Sequence, residues 1–80
     1  MNAFAKVIKA PEYPPQLKHK VIFETFDALK SGEAMLLIND HDPRPLFFQF
    51  QATRSNCFTW EYIEQGPIEF QVKIGKPNNI

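Results

Sequence analysis

With one cysteine, Cys57, in 80 residues, the chain can form no intramolecular disulfide, and it holds no Cys-x-x-Cys pair or zinc-ribbon spacing. Such cysteine usage fits a reducing compartment, so the cytoplasm is the expected location. An excess of charge is missing too: nine basic residues balance nine acidic ones, which removes the whole-protein field that draws in nucleic-acid backbone or an anionic membrane. Nucleic acid is therefore not expected as a partner. No run approaches the roughly 18 apolar residues of a membrane span. Met1 to Ala10 also lacks a long apolar core, so neither insertion nor export is expected. No internal repeat and no nucleophile or cofactor motif is present.

The remainder is globular material. Hydrophobic residues make up 44% of the chain and charged residues 22%, which excludes disorder and a fibrous repeat. A chain of this length forms one domain over 1–80, with a core from about 4 to 75, and burial is so incomplete at this size that every apolar face has to be used. Ala3 to Ala10 is short and partly β-branched, and the cluster Pro11-Glu12-Tyr13-Pro14-Pro15 stops it, which predicts a strand followed by a loop. Leu17, Val21, Ile22, Thr25, Phe26 and Leu29 recur at helical spacing, and Ser31-Gly32 follows as a stop, so an amphipathic helix is predicted over Leu17 to Lys30. Phe23 lies off that stripe, either at its margin or on an exposed contact surface. The continuous apolar run from Ala34 to Ile38 has the length and composition of a buried central strand.

Asp42 before Pro43 has the pattern of an N-cap followed by proline at the first helical position. Leu46, Phe47, Phe50 and Arg54 continue at helical spacing, giving a second helix from about Pro43 to Arg54. Phe58, Trp60 and Tyr62 then alternate with Thr59, Glu61 and Ile63, and Ile68, Phe70, Val72 and Ile74 alternate with Glu69, Gln71 and Lys73. Separated by Glu64-Gln65-Gly66-Pro67, these are two paired antiparallel strands. The tail from Lys76 to Ile80 carries no pattern and is expected to fray. The fold class is α+β: a two-layer β-α-β-α-β-β sandwich in which right-handed crossovers place both helices on one face of a mixed four-stranded sheet. The polar alternates of the last two strands agree with an uncovered second face, Ile63 excepted.

Parallel first and second strands bring the loops Pro11 to Gln16 and Asn39 to Asp42 to one edge, together with both helix N-termini. A third strand parallel to them adds the hairpin at Glu64. The run Asn39-Asp40-His41-Asp42-Pro43-Arg44 puts two carboxylates, an imidazole and a guanidinium at that edge, and such a sharp polar loop marks a candidate site. The candidate ligand-binding or interaction residues are His19, Asp40, His41, Asp42, Arg44 and Glu64. Imidazole and carboxylate bind divalent metals, so His19, Asp40 and His41 are the metal candidates, although no standard metal motif is matched and adjacent residues in an extended segment point apart. Alternatively, Asp42 caps the second helix, Asp40 or His41 bonds loop amides, and Arg44 is solvated or paired. A third reading is an anion or haem-type ligand at the helix N-termini, with Arg44 and an imidazole as partners and with Asp40 and Asp42 opposing an anion. Acid-base catalysis by His41 with an aspartate is chemically conceivable and lacks a nucleophile or cofactor motif beside it. Cys57 has no adjacent His or Lys and is expected to be buried or half-buried, while Trp60 and Tyr62 are core or sheet-face aromatics before they are a stacking platform.

Taken together, Ile22-Phe23, Phe26-Asp27-x-Leu29, Gly32-Glu33, Asn39-Asp40-His41-Asp42-Pro43-x-Pro45-Leu46, Phe58-x-Trp60-x-Tyr62 and Gly66-Pro67 resemble the bacterial family called domain of unknown function 2249, over roughly Val7 to Lys76. The resemblance implies a fold similar to the sulfur-carrier TusA/SirA-like proteins, with two helices on a mixed four-stranded sheet and only the last strand antiparallel. It does not imply sulfur transfer: where the carriers use Cys-Pro at the start of their first helix, this chain has Pro15-Gln16-Leu17-Lys18-His19. His19 stands where the family usually shows a histidine followed by proline, and here Lys20 follows. Family members also resemble or adjoin hemerythrin-like and respiratory proteins, which implies a redox or metal setting by association alone. The resulting expectation is a small accessory domain that binds a protein partner or a small ligand, with a divalent metal or haem as candidate cofactors. A metal carrier or enzyme using His19 and His41 with Asp40 is the alternative, and an interaction module using the open sheet face or Phe23 and Phe48 is a third.

Overall fold

The computed structural model describes residues 4–78 and follows the expected element order. Strand β1, Lys6–Lys9, buries Ile8 and gives way to a 3-10 turn at Ala10–Glu12. Helix α1 runs Pro15–Ala28 and so begins two residues before the predicted Leu17. Proline at the first helical position lacks only an N–H that the helix would leave unpaired, and it drives the preceding Pro14 into extended backbone at ψ 147°. Leu17, expected on the buried stripe, is 45% exposed because the core reaches up α1 only to Ile22 and Phe26. The helix ends at Leu29, where the Lys76 ammonium donates to the carbonyls of Asp27 and Leu29 at 3.0 and 2.7 Å. These carbonyls have no helical partner, and a lysine at this end also matches the helix dipole. Of the tail, Asn79 and Ile80 lie outside the described residues, as does Ala3 of the predicted first strand.

Strand β2, Ala34–Asn39, is the buried central strand, with Met35 and Leu37 almost wholly inaccessible. Helix α2, Arg44–Thr53, buries Leu46 and Phe50 one turn apart. Strands β3, Thr59–Gln65, and β4, Phe70–Gly75, complete a sheet in the order β1-β2-β4-β3. The β1 and β2 strands are parallel and β4 is antiparallel to both of its neighbours, so β3 runs with β1 and β2 and only β4 runs against them. The β3–β4 hairpin therefore emerges at the same edge as the loops after β1 and β2.

Two details of β3 and β4 depart from strict alternation. Ile63 has no partner between the pairs Tyr62↔Val72 and Glu64↔Gln71, so it is the extra residue of a β-bulge, which explains why an apolar side chain stands at an outward position and is half exposed. Ile68, expected in the last strand, lies in the hairpin and is 85% exposed. The turn begins at Gly66, whose φ of 81° suits glycine and whose missing Cβ leaves room for the Phe70 ring, at 2.8 Å from where that atom would stand.

One apolar cluster joins Ile8, Ile22, Phe26, Met35, Leu37, Leu46, Phe50, Val72 and Ile74, so both helices cover the same sheet face. The uncovered face carries Val7 and Lys9 of β1, Leu36 and Ile38 of β2, Glu61 of β3 and Gln71 and Lys73 of β4 at the alternate positions. Among the described residues no helix is long and apolar enough to cross a membrane. Phe50 is the hub of the cluster: its ring lies 4.4 Å from Phe23, 5.1 Å from Phe26, 5.2 Å from Phe58 and 6.1 Å from Trp60, centroid to centroid. Phe23 is thus packed at the margin of the α1 stripe. Arg54 closes that margin, with its guanidinium 4.5 Å from the Phe23 centroid and two hydrogen bonds to the Asp27 carboxylate, from Nε at 3.0 Å and from a terminal nitrogen at 2.6 Å.

Replacing Phe50 by alanine removes the shared ring of four contacts and is expected to cost about 3–5 kcal/mol, read as a fall in the urea midpoint at unchanged slope. An effect no larger than that of a surface substitution would show that the hub is not formed. The bonds from Arg54 hold the Asp27 carboxyl below the ordinary aspartate range. A depressed folded value contributes stability that is present above the unfolded pKa of about 4 and lost as pH falls through the folded one. Arg54→Met should accordingly flatten the acid limb of the stability profile, measured by urea unfolding at successive pH values; an unaltered acid limb would exclude this pair as its source.

Candidate functional site

The first turn of α1, the end of β2 and the first turn of α2 meet around a cleft of about 220 Å³. Its polar wall is Lys18, His19, Asn39 and His41, and its apolar floor includes Ile22, Leu37 and Leu46. The right-handed βαβ connection produces this meeting, because it returns each helix N-terminus to the carboxyl edge of the parallel strands. His19 and His41, separated by 21 intervening residues, thus border one space. Lys18 and Asn39 were not among the sequence candidates; Lys18 adjoins His19, and Asn39 opens the polar run.

Asn39 is 8% exposed, and its side-chain oxygen accepts the Asp40 backbone N–H at 3.0 Å, which fixes the turn leaving β2. Asp40 in turn accepts a hydrogen bond from Nδ1 of His41 at 2.7 Å. Its carboxyl is held below the usual range, chiefly by that bond. Because an ionised carboxylate only accepts, Nδ1 carries the proton and Nε2 is the nitrogen left for a ligand. The side chains of both residues are mostly exposed.

Asp42 does not cap α2. The cap position is Pro43, no side chain bonds the helix amides there, and Pro45 occupies the first turn. A cap at Asp42 would have placed Pro45 at the third helical position, where its missing N–H removes a principal donor to the capping carboxylate. Asp42 turns instead to β3 and accepts the Tyr62 hydroxyl at 2.7 Å. Burial foremost, then the Asp42 carboxylate, raises the Tyr62 pKa, while the neighbouring Trp60 indole works against them.

Arg44 stands 3.8 Å from Asp42 and lines a second cavity of about 210 Å³ with Phe47, Phe48, Trp60 and Tyr62. Glu64 is exposed beside the hairpin, opposite Gln71, and borders neither cavity. The six sequence candidates therefore divide: His19 and His41 share the cleft, Asp40 holds His41, Asp42 and Arg44 belong to the second cavity's side, and Glu64 stands apart. Among the described residues no three His, Cys, Asp or Glu side chains are grouped to hold a metal ion, so His19, Asp40 and His41 form no ready-made metal centre. Cys57, expected to be buried or half-buried, is exposed. It lies in the turn after α2, following Asn56 at a φ of 61°, and such connecting turns run over the surface.

The chain belongs to the family described as uncharacterised conserved protein (DUF2249), whose model matches residues 7–76. No curated protein and no solved structure matches it.

The Asp42–Tyr62 contact has a direct readout. In a Tyr13→Phe background Tyr62 is the remaining tyrosine. Asp42→Asn should then lower its titration midpoint, followed by ultraviolet absorbance, yet leave it above the ordinary value of about 10, because burial persists. A midpoint unmoved by the substitution would mean that the carboxylate is not held on the phenol in solution.

Proposed function

We propose, for a chain whose family carries no assigned activity, that this is a small binding domain whose cleft takes a compact anion, an oxyanion or a carboxylate, through Lys18, His19 and His41. The observation that carries the reading is the sorting of charge around the polar loop. The cleft is bordered by a lysine, two histidines and an asparagine, and by no aspartate or glutamate. The two carboxylates that would oppose an anion are otherwise engaged, Asp40 on His41 and Asp42 on Tyr62. Both helices also begin at this edge, where their dipoles favour negative charge.

Size narrows the ligand. At about 220 Å³ the cleft is smaller than the usual range of about 300–1,000 Å³ for drug-sized ligands, so it suits a group of a few atoms and not a haem macrocycle. The apolar floor of Ile22, Leu37 and Leu46 suits a ligand with a small hydrophobic body behind its charge. Within this reading His19 and Lys18 are direct contacts, His41 donates from Nε2 in its imidazolium form, with Nδ1 on Asp40, and Asp40 is a positioning residue. Kinship with the sulfur-carrier fold belongs to the proposal as well, supported by two helices on one sheet face with only β4 antiparallel. Cysteine-borne transfer does not, since Pro15 to His19 contains no thiol. A cytoplasmic setting is supported by the exposed free thiol of Cys57, which suits a reducing compartment.

Titration of the labelled protein with inorganic phosphate and with acetate, followed by nuclear magnetic resonance, should move the signals of Lys18, His19, Asn39 and His41 to saturation. The double change Lys18→Gln and His19→Gln should weaken that response by about tenfold or more, equivalent to about 1.4 kcal/mol. Stoichiometric saturation of the same signals by zinc, with none by either anion, would replace this reading by that of a metal carrier.

A further inference from the structure

We propose a second binding site on the opposite side of the first turn of α2, a cavity that takes a flat aromatic ring bearing a carboxylate. It is lined by Arg44, Phe47, Phe48, Trp60 and Tyr62 and encloses about 210 Å³. A dry cavity of about 150 Å³ suffices for benzene, so the space accommodates one ring or a fused pair. The site is independent of the anion cleft and stands whether or not that cleft binds.

Three observations converge on this ligand. First, the walls are aromatic and edge-on to one another: Phe47 meets Phe48 at 5.5 Å and Trp60 at 5.3 Å, and Trp60 meets Tyr62 at 6.2 Å, with interplanar angles of 65–79°. Such a set provides both ring faces and ring edges to an inserted ring, which gains by offset stacking and edge-to-face contact. Second, Phe48 is 57% exposed although its neighbour Phe47 is half-buried beside Phe58 and Trp60, so a large apolar side chain stands at the mouth where covering it would be favourable.

Third, the guanidinium at the rim is held only by a long ion pair to Asp42. Arg54 in the same chain is locked onto Asp27 by two hydrogen bonds and lies over Phe23. Arg44, by contrast, has a side chain 66% exposed, and its contact with Asp42 at 3.8 Å is too long for a hydrogen bond. A planar guanidinium offers a fork of donors that matches a carboxylate, and it repels a cationic ligand from the same space. The Asp42 carboxylate is drawn toward β3 by Oδ1, which accepts the Tyr62 hydroxyl at 2.7 Å, while Oδ2 stays 3.8 Å from the Arg44 Nε and leaves the guanidinium donors free for a closer carboxylate. The ring enters between Phe48 and Trp60, and its carboxylate takes the Arg44 fork.

The experiment uses the intact chain and naphthoate, with naphthylmethanol and naphthylmethylammonium as neutral and cationic counterparts. Trp60 is the one tryptophan, so its indole N–H signal reports the cavity directly. Naphthoate should move that signal and the Arg44 Nε–H signal to saturation. Arg44→Gln should weaken naphthoate by about tenfold while leaving the alcohol unchanged, and Phe48→Ala should weaken both. Arg44 and Phe48 are exposed, so both variants are expected to keep the wild-type spectrum elsewhere. The proposal is overturned by a Trp60 signal that does not saturate, by the ammonium binding as tightly as the carboxylate, or by Arg44→Gln without effect. Shifts confined to His19 and His41 would also overturn it, since they would place the carboxylate in the anion cleft.

Discussion

Burial of the Phe50 ring of α2 against α1 and the β3 side of the sheet is the contact on which the other features depend. A chain of 80 residues can cover only one sheet face, so α1 and α2 must share a single core and need a common partner. Phe50 supplies it, touching Phe23 and Phe26 of α1 on one side and Phe58 and Trp60 on the other. The consequence for the cleft follows from helical spacing. Ile22 lies one turn before Phe26 and Leu46 one turn before Phe50, so the helix pair held by the rings presents Ile22 and Leu46 together as the cleft floor. Shape at the candidate site is thereby set from the core upward.

The element order and the two-layer arrangement were legible in the chain, because each depends on periodicity or on the handedness of a crossover, whereas the direction of the third strand came only with the family resemblance. Trp60-x-Tyr62 and Val72-x-Ile74 alternate with polar residues, and only an uncovered outer face accounts for that. What was not legible depended on competition between neighbours. Leu17 fits the helical stripe by spacing, but whether a helix end reaches the core is decided by tertiary packing. Ile63 looked like an exception to alternation and is the bulge residue, a local insertion that no pattern of apolar positions announces. Ile68 continued the alternation of the last strand on paper, yet the hairpin beginning at Gly66 consumes it.

At the polar loop the residue types were readable and their partners were not. Asp42 before Pro43 carries a strong capping signal, and a single-residue rule could not weigh the second proline two positions on. Asp42 then had to find its donor across the sheet, on Tyr62, 20 positions away in sequence. Long-range pairs of this kind are invisible to spacing arguments. The grouping of His19 with His41 was accessible, because it follows from the parallel pairing of β1 and β2, whereas the role of Lys18 depended on which face of the first α1 turn looks into the cleft.

The two prolines also explain why one short loop serves two cavities. Pro43 is buried and Pro45 borders the cleft, so the start of α2 is rigid but has lost one of the amide donors that would ordinarily hold a capping side chain. Orientation of the loop falls to side chains instead. The Asp40–His41 bond holds the half that faces the cleft, and the Asp42–Tyr62 bond holds the half that faces the aromatic cavity. Between them the chain changes sides within two residues, through the bend at Asp40 and His41 that follows β2. Charge is partitioned by the same step: the imidazole remains with Lys18 and His19, while the Arg44 guanidinium is carried over to Trp60 and Tyr62. A loop capped in the ordinary way by Asp42 would leave Tyr62 without this carboxylate and would remove the anchor that ties the start of α2 to β3. The unusual proline spacing therefore links local backbone chemistry to the separation of a basic cleft from an aromatic one.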